Sequence, residues 1–383
     1  MGRRQRIVLV FGTRPEAIKM APVYQALRAR PGEFEALCCV TAQHRDMLDQ
    51  VLGTFDIVPD IDLDLMRSGQ DLTDVNAHVL LALRPVLADM RPDLMLVHGD
   101  TTTSMASALA GFYAGITVGH VEAGLRSADL SAPFPEEFNR RVISMVARYH
   151  FAPTAANRAN LIAEGCDSAA VTVTGNTVVD AMTDMLARID ASPAARREVE
   201  ACLDLHLGFN WREVRFVLVT CHRRETFSTG GLHRIFSALR KLAAAYPHTH
   251  FVYPLHANPA VRETAGTSLA GLDNFHLIDP LPYGVFLYAL RFCHSALTDS
   301  GGLQEEGPVL RKPVLVMRDV TERPEAVEAG GVRLVGTDPA AIVSAMSDLL
   351  DDAEAHAAMS AAANPYGDGT AANRIADFLA ARG

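Results

Sequence analysis

Short clusters of polar and ionisable residues stand out in this chain because each follows an apolar run. In the first half they are Gly12-Thr13-Arg14-Pro15-Glu16, Thr41 to Arg45, His98 to Thr103 and His120 to Gly124. In the second half they are Thr220 to Glu225, His256, Asp299 to Gly302 and Arg318 to Arg323. Open parallel sheets bind ligands outside the carboxyl ends of their strands, so these clusters are read as one set. Asp100, Glu122 and Glu136 place three carboxylates in the first half. Gathered at one site they could not all ionise freely, which is the condition that makes proton donors and acceptors. Two of them have plainer readings. Asp100 suits a helix cap before the threonines, and Glu136 suits a surface contact with Arg140 four residues on. His222 is followed by two arginines and a glutamate, a setting better suited to a charged ligand than to a core.

The segment TDSGGLQEEG puts Gly301 and Gly302 where a helix begins. Backbone N–H groups can there approach a phosphate at the positive end of the helix dipole, which suits a diphosphate. A plain glycine-containing turn is the alternative, with Glu305 and Glu306 compensating the dipole in the first turn. Glu306 could equally accept from ribose hydroxyls. Gly12 is followed by Thr13-Arg14-Pro15, so no GxGxxG dinucleotide fingerprint follows the first strand, and no GxxxxGK[ST] is present.

The elements that must hold these clusters repeat regularly. Strand-length apolar runs (RIVLVFG, EALCCVT, DLMLVHG, ITVGHVE, YHFAPT, AVTVTG) alternate with helical patterns, and a second series (VRFVLVTCH, THFVYPLH, FHLIDPL, HSALTDSGG, KPVLVMRD, GVRLVG) begins after residue 210. Continuous apolar strands separated by helices are the mark of parallel sheets covered on both faces. With 383 residues, two doubly wound α/β domains are expected, with a ligand cleft between them. The boundary is placed at the Gly175-Asn176 turn, giving domains of 1–175 and 176–366. The break NPYGDGT precedes a last short helix, 367–383, that is expected to return to the first domain.

A formal charge of −10 without a basic cluster argues against nucleic acid as a partner. No apolar stretch approaches the roughly 18 residues of a membrane span. MGRRQRIVLVFG reads as a first strand rather than a signal peptide. The six cysteines form no CxxC pair and sit mostly in apolar runs, so neither a metal site nor a disulfide framework is expected, and a reducing cytoplasm is the natural setting.

FGTRPEAIKMAP, TAQHRDMLDQ, HGDTTTS, VGHVEAGLR, PFPEEFNR, TGNTVVDA, HRRE, LTDSGGLQEE, KPVLVMRDVTERPEA and NPYGDG, in that order along nearly the whole chain, resemble the non-hydrolysing UDP-N-acetylglucosamine 2-epimerases. The resemblance implies a GT-B-like fold of two Rossmann-like domains with the active site in the cleft between them. It implies interconversion of UDP-N-acetylglucosamine and UDP-N-acetylmannosamine by anti elimination of UDP, through 2-acetamidoglucal, and re-addition. A hydrolysing relative and a non-catalytic nucleotide-sugar sensor are the competing readings. Carried over by position, Asp100, Glu122, Glu136 and His222 match catalytic residues. Arg14, Lys19, Phe286, Ser300, Gly301, Gly302, Glu306 and Arg323 match substrate contacts. Gln43, His44, Gln70 and His256 fall near the segments that line a second, activating substrate site. No metal and no cofactor are implied, UDP-N-acetylglucosamine and UDP are the expected partners, and a homodimer is expected.

The string RPEA occurs twice, at Arg14 to Ala17 and at Arg323 to Ala326. Proline suits a first helical turn and glutamate complements the dipole after it. Both arginines are therefore expected at carboxyl ends of strands, approaching one anionic ligand from two sides.

Overall fold

The apolar runs fold as strands. The structure is a computed structural model, and it describes residues 3–42, 45–67, 69–127, 129–221, 230–255 and 259–382. His222, Gln43, His44 and His256 lie outside the described residues. In the first half β1 (Gln5–Phe11), β2 (Phe34–Val40), β3 (Ile61–Asp62), β4 (Leu94–His98), β5 (Thr117–Val121), β6 (Tyr149–Ala152) and β7 (Val171–Val173) form a sheet in the order β3-β2-β1-β4-β5-β6-β7. In the second half β8 (Phe216–Thr220), β9 (His250–Pro254), β10 (Phe275–Ile278), β11 (Ser295–Thr298), β12 (Val314–Val316) and β13 (Val332–Leu334) follow the order β10-β9-β8-β11-β12-β13. Both sheets are parallel throughout their described pairings. Strand β3 was not among the expected elements; two residues, one of them Asp62, carry no apolar run to read.

Helices cover both faces of each sheet, so a central strand such as β4 is buried along its whole length. Strand order reverses between β1 and β4 in the first sheet and between β8 and β11 in the second. These are the switch points where the loops after adjacent strands part and leave room for a ligand.

The chain divides into two compact units, Met1–Ala181 with Tyr366–Gly383, and Met182–Pro365. The division falls inside the helix Thr177–Ala191, a few residues beyond the Gly175-Asn176 turn. The last helix, Ala371–Ala380, belongs to the first unit. Asp180 caps it from a distance, accepting from Ala371 N at 3.2 Å and Ala372 N at 2.8 Å. Arg374 donates to Thr174 O at 2.9 Å, and the Phe378 ring meets Phe151 edge-on at 5.2 Å.

Several imidazoles in or beside the strands are buried, as His120 and His150 are, or half-buried, as His276 and His294 are. Burial pushes His120 and His294 down to about 3, and His150 and His276 to about 4. Each therefore binds its proton more readily in the unfolded chain, so its contribution to stability is present above the ordinary imidazole range and is lost as pH falls below it. Asp180, whose carboxyl burial pushes up against its two N–H donors, has the opposite sign but is a single group. The urea midpoint is expected to be lower at pH 5 than at pH 7; an equal or higher midpoint at pH 5 would refute this account of the histidines.

Candidate active site

In the first unit the loops after β1 and β4 are joined by a buried carboxylate. Thr13 caps the helix Arg14–Arg28, and Glu16, at its third position, completes a capping box. Glu16 Oε2 accepts from Gly12 N at 2.9 Å and Thr13 N at 2.7 Å. Its Oε1 accepts from the hydroxyls of Thr101 and Ser104, both at 2.6 Å, at the start of the helix Thr102–Tyr113. Gly12 lets the loop after β2 come close, since a Cβ there would stand 1.9 Å from Thr41 Oγ1 and would force that side chain to move. The two loops at the switch point thus form one rigid piece.

This piece positions the carboxylates. Thr101, not Asp100, caps the helix Thr102–Tyr113, so the plain reading of Asp100 as a cap does not hold. Asp100 is instead gripped by Arg140 Nη1, 2.6 Å from its Oδ2, while Asn139 Nδ2 donates to its carbonyl at 2.8 Å. Arg140 is committed to Asp100 and Glu137, which removes the expected surface contact with Glu136. Glu136 opens the helix Glu136–Val146 that carries these residues. Glu122 follows β5 with φ 63°, a left-handed conformation that costs a non-glycine residue about 1–3 kcal/mol and collects at functional sites. Lys19, one turn beyond Glu16, reaches Glu122 Oε2, and both are 7% exposed. Asn176 Nδ2 donates to the same oxygen at 3.2 Å, and His98 Nε2 lies 3.5 Å from it. His120 Nε2 bonds Gly99 O at 2.7 Å behind the loop.

In the second unit Ser300 precedes the helix Gly301–Val309 without a side-chain cap bond. Thr298 Oγ1 accepts from Ser300 N at 2.8 Å, and Gln304 Nε2 donates to Ser300 O at 3.2 Å. Arg323 packs beneath this loop, because a Cβ on Gly301 would be 2.7 Å from its Nη1. The guanidinium is held by Glu305 Oε1, 2.6 Å from Nε, and by Glu322, which Arg318 Nη1 meets at 3.2 Å. Glu305 is thus a buried partner of Arg323 rather than a first-turn compensator of the dipole, and that expectation is corrected. Glu306 Oε1 accepts from Tyr283 OH at 3.3 Å; Tyr283 starts the helix Tyr283–Phe292, which also carries the half-buried Phe286.

The two RPEA strings start helices differently. Arg14 is the first helical residue behind the Thr13 cap, whereas Arg323 is itself the residue before the five-residue helix Pro324–Glu328. Gln70, expected near a second ligand site, is engaged locally: its Nε2 meets Leu65 O at 3.1 Å and His78 Nδ1 at 2.8 Å, and its Oε1 accepts from Arg67 N at 2.8 Å. Glu137 was not singled out from the sequence; His98 was read only as a member of a polar cluster, and Glu16 only as such a member and as a complement to the helix dipole. The T-x-x-E spacing of Thr13 and Glu16 was a readable capping-box signal, and Asn176 had been read only as part of a turn.

The family described as UDP-N-acetylglucosamine 2-epimerase matches residues 25–380. UDP-N-acetylglucosamine 2-epimerase of Yersinia pestis is 52% identical over 374 residues, 98% of each chain. Among solved structures, UDP-GlcNAc 2-epimerase from Neisseria meningitidis bound to UDP-GlcNAc is 44% identical with a TM-score of 0.94, over 98% of this chain and 99% of that one. The Methanocaldococcus jannaschii UDP-GlcNAc 2-epimerase in complex with UDP-GlcNAc and UDP is 29% identical with a TM-score of 0.86, over 99% of this chain and all (100%) of its own. The two parallel α/β units are thus GT-B-like.

The adjacent glycines of the second-unit loop separate two demands. A Cβ on Gly302 would meet only Ser300 Oγ, at 3.7 Å. Gly301→Ala is expected to cost about 1–3 kcal/mol in urea unfolding, because the pinned guanidinium cannot withdraw. Gly302→Ala should stay within about 0.5 kcal/mol. Equal effects at both positions would show that Arg323 does not constrain the loop.

Proposed function

The chain belongs to the UDP-N-acetylglucosamine 2-epimerase family, and on that premise we propose that it interconverts UDP-N-acetylglucosamine and UDP-N-acetylmannosamine without hydrolysis. The observation that carries this reading is the set of carboxylates at one end of the first sheet. Asp100 and Glu122 follow neighbouring strands, and Glu136 opens the helix whose Arg140 grips Asp100.

The chemistry asks for such a set. The hydrogen on sugar carbon 2 is not next to a carbonyl, so its direct removal would leave an unstabilised carbanion. Anti elimination of UDP avoids this and leaves 2-acetamidoglucal. UDP then adds back while carbon 2 takes a proton on the other face. One group must remove a proton and another must deliver one, and carboxylates held at fixed positions can do both. A simple nucleotide-sugar sensor has no use for three of them.

The second unit serves the nucleotide. Backbone N–H groups at Gly301 and Gly302, with the Ser300 hydroxyl beside them, suit the diphosphate that departs and returns, and Glu306 with Tyr283 suits the ribose. Phe286 lines the uracil in this reading. Arg323 acts from beneath the loop, and Arg14 and Lys19 meet the substrate from the first unit. His222 is assigned to the diphosphate by its match to the family.

Incubation with UDP-N-acetylglucosamine in deuterated water, followed by NMR, tests the reaction. Deuterium at carbon 2 in a mixture that contains UDP-N-acetylmannosamine is expected. Free N-acetylmannosamine would favour a hydrolysing enzyme, and unchanged substrate with tight binding would favour a sensor. Asp100→Asn, Glu122→Gln and Glu136→Gln are each expected to lower kcat by at least about 100-fold while binding of UDP changes little, the pattern of groups that act in the transition state. Near-normal turnover in all three would sink the assignment of these carboxylates.

A further inference from the structure

Among the described residues Arg140 is one of the largest fully buried side chains, 1% exposed, and its partner Glu137 is 0% exposed. Taking two such charges out of water seldom stabilises a fold beyond what well-packed apolar residues would, so the pair calls for another reason. Its geometry supplies one. Arg140 Nε and Nη2 both donate to Glu137 Oε2, at 3.1 Å and 3.0 Å. Ser127 N donates to the same oxygen at 3.0 Å, and Arg141 Nε donates to Oε1 at 3.0 Å. Burial pushes the Glu137 carboxyl up, but the Ser127 N–H and the two arginines overcome this and hold it below the usual range. Two arms of the guanidinium are thereby locked, and the third, Nη1, meets Asp100 Oδ2 at 2.6 Å. The Asp100 side chain is 28% exposed, and its Oδ1 takes no hydrogen bond among the described residues.

We propose that Arg140, held by Glu137, is the positioning residue of Asp100, fixing its carboxylate so that Oδ1 alone is presented to substrate. The inference rests on the catalytic reading of Asp100. The rigid fork suits the role: its Nε and Nη2 hold Glu137 while Nη1 holds Asp100, whereas a lysine concentrates its charge on one nitrogen and has no such fixed spread. The same helix begins with Glu136, so one element carries one of the proposed catalytic carboxylates and orients another.

The test compares kcat and KM for UDP-N-acetylglucosamine in Arg140→Lys, Glu137→Gln and Asp100→Asn, and in Arg140→Lys combined with Asp100→Asn, with folding checked by circular dichroism. Arg140→Lys is expected to lower kcat by about 10–100-fold with KM within about threefold. The double variant should turn over about as slowly as Asp100→Asn alone, because with the carboxylate gone Arg140 has none left to position. A folded Arg140→Lys protein with near-normal kcat beside a disabled Asp100→Asn protein would overturn the positioning role alone, as would fully multiplicative effects in the double variant. Near-normal turnover of Asp100→Asn would overturn this role together with the catalytic reading beneath it. Should Arg140→Lys fail to fold, Glu137→Gln is read by the same two criteria, singly and combined with Asp100→Asn.

Discussion

The site in the first unit depends on one buried carboxylate. Glu16 accepts four hydrogen bonds, two from the backbone after β1 and two from hydroxyls at the start of the helix after β4. An anion 1% exposed must be satisfied wherever it is placed, and here its satisfaction requires two loops at the switch point to come together. Lys19 lies on the helix that Glu16 helps to start, and Asp100 immediately precedes Thr101. Both are therefore carried by the same frame, and Glu122 is reached from it through Lys19.

Charge buried behind a loop recurs in the second unit. Glu305, Arg323, Glu322 and Arg318 form a chain of opposite charges, each at most 9% exposed, beneath the Ser300-Gly301-Gly302 backbone. The guanidinium occupies the space that a side chain on Gly301 would need. In both units charges buried behind the loop hold its backbone in place. A loop fixed in this way needs little reorganisation when an anion forms against it, which is how preorganised sites act.

Such networks are expensive relative to apolar packing, and the left-handed Glu122 adds strain. The apolar sheets carry that cost. Both central regions are buried on two faces, and the C-terminal helix closes over the first unit through Asp180, Arg374 and Phe378. Rigid strands beneath strained polar loops divide the labour between stability and chemistry.

Most of the architecture was legible because strands covered on both faces must be continuously apolar, and the polar residues that end each run mark the carboxyl edge. The carboxylates Asp100 and Glu122 and the glycine loop at Ser300 were read that way, whereas Glu136 was read from a stretch that opens a helix. Local spacing failed where the true partner lies far along the chain. The i,i+4 rule offered Glu136 for Arg140, but the guanidinium goes to Asp100, brought near by the neighbouring strand, and to Glu137. Dipole logic left Glu305 at a helix start, yet its partner is Arg323 beneath the loop. The two RPEA strings looked like one device, and their helices begin one residue apart in register. By itself, then, the sequence determined which residues stand at the ends of buried strands, since burial and periodicity are local constraints. Only the tertiary structure decided which buried charges pair across those ends, because that depends on which strands the fold makes neighbours.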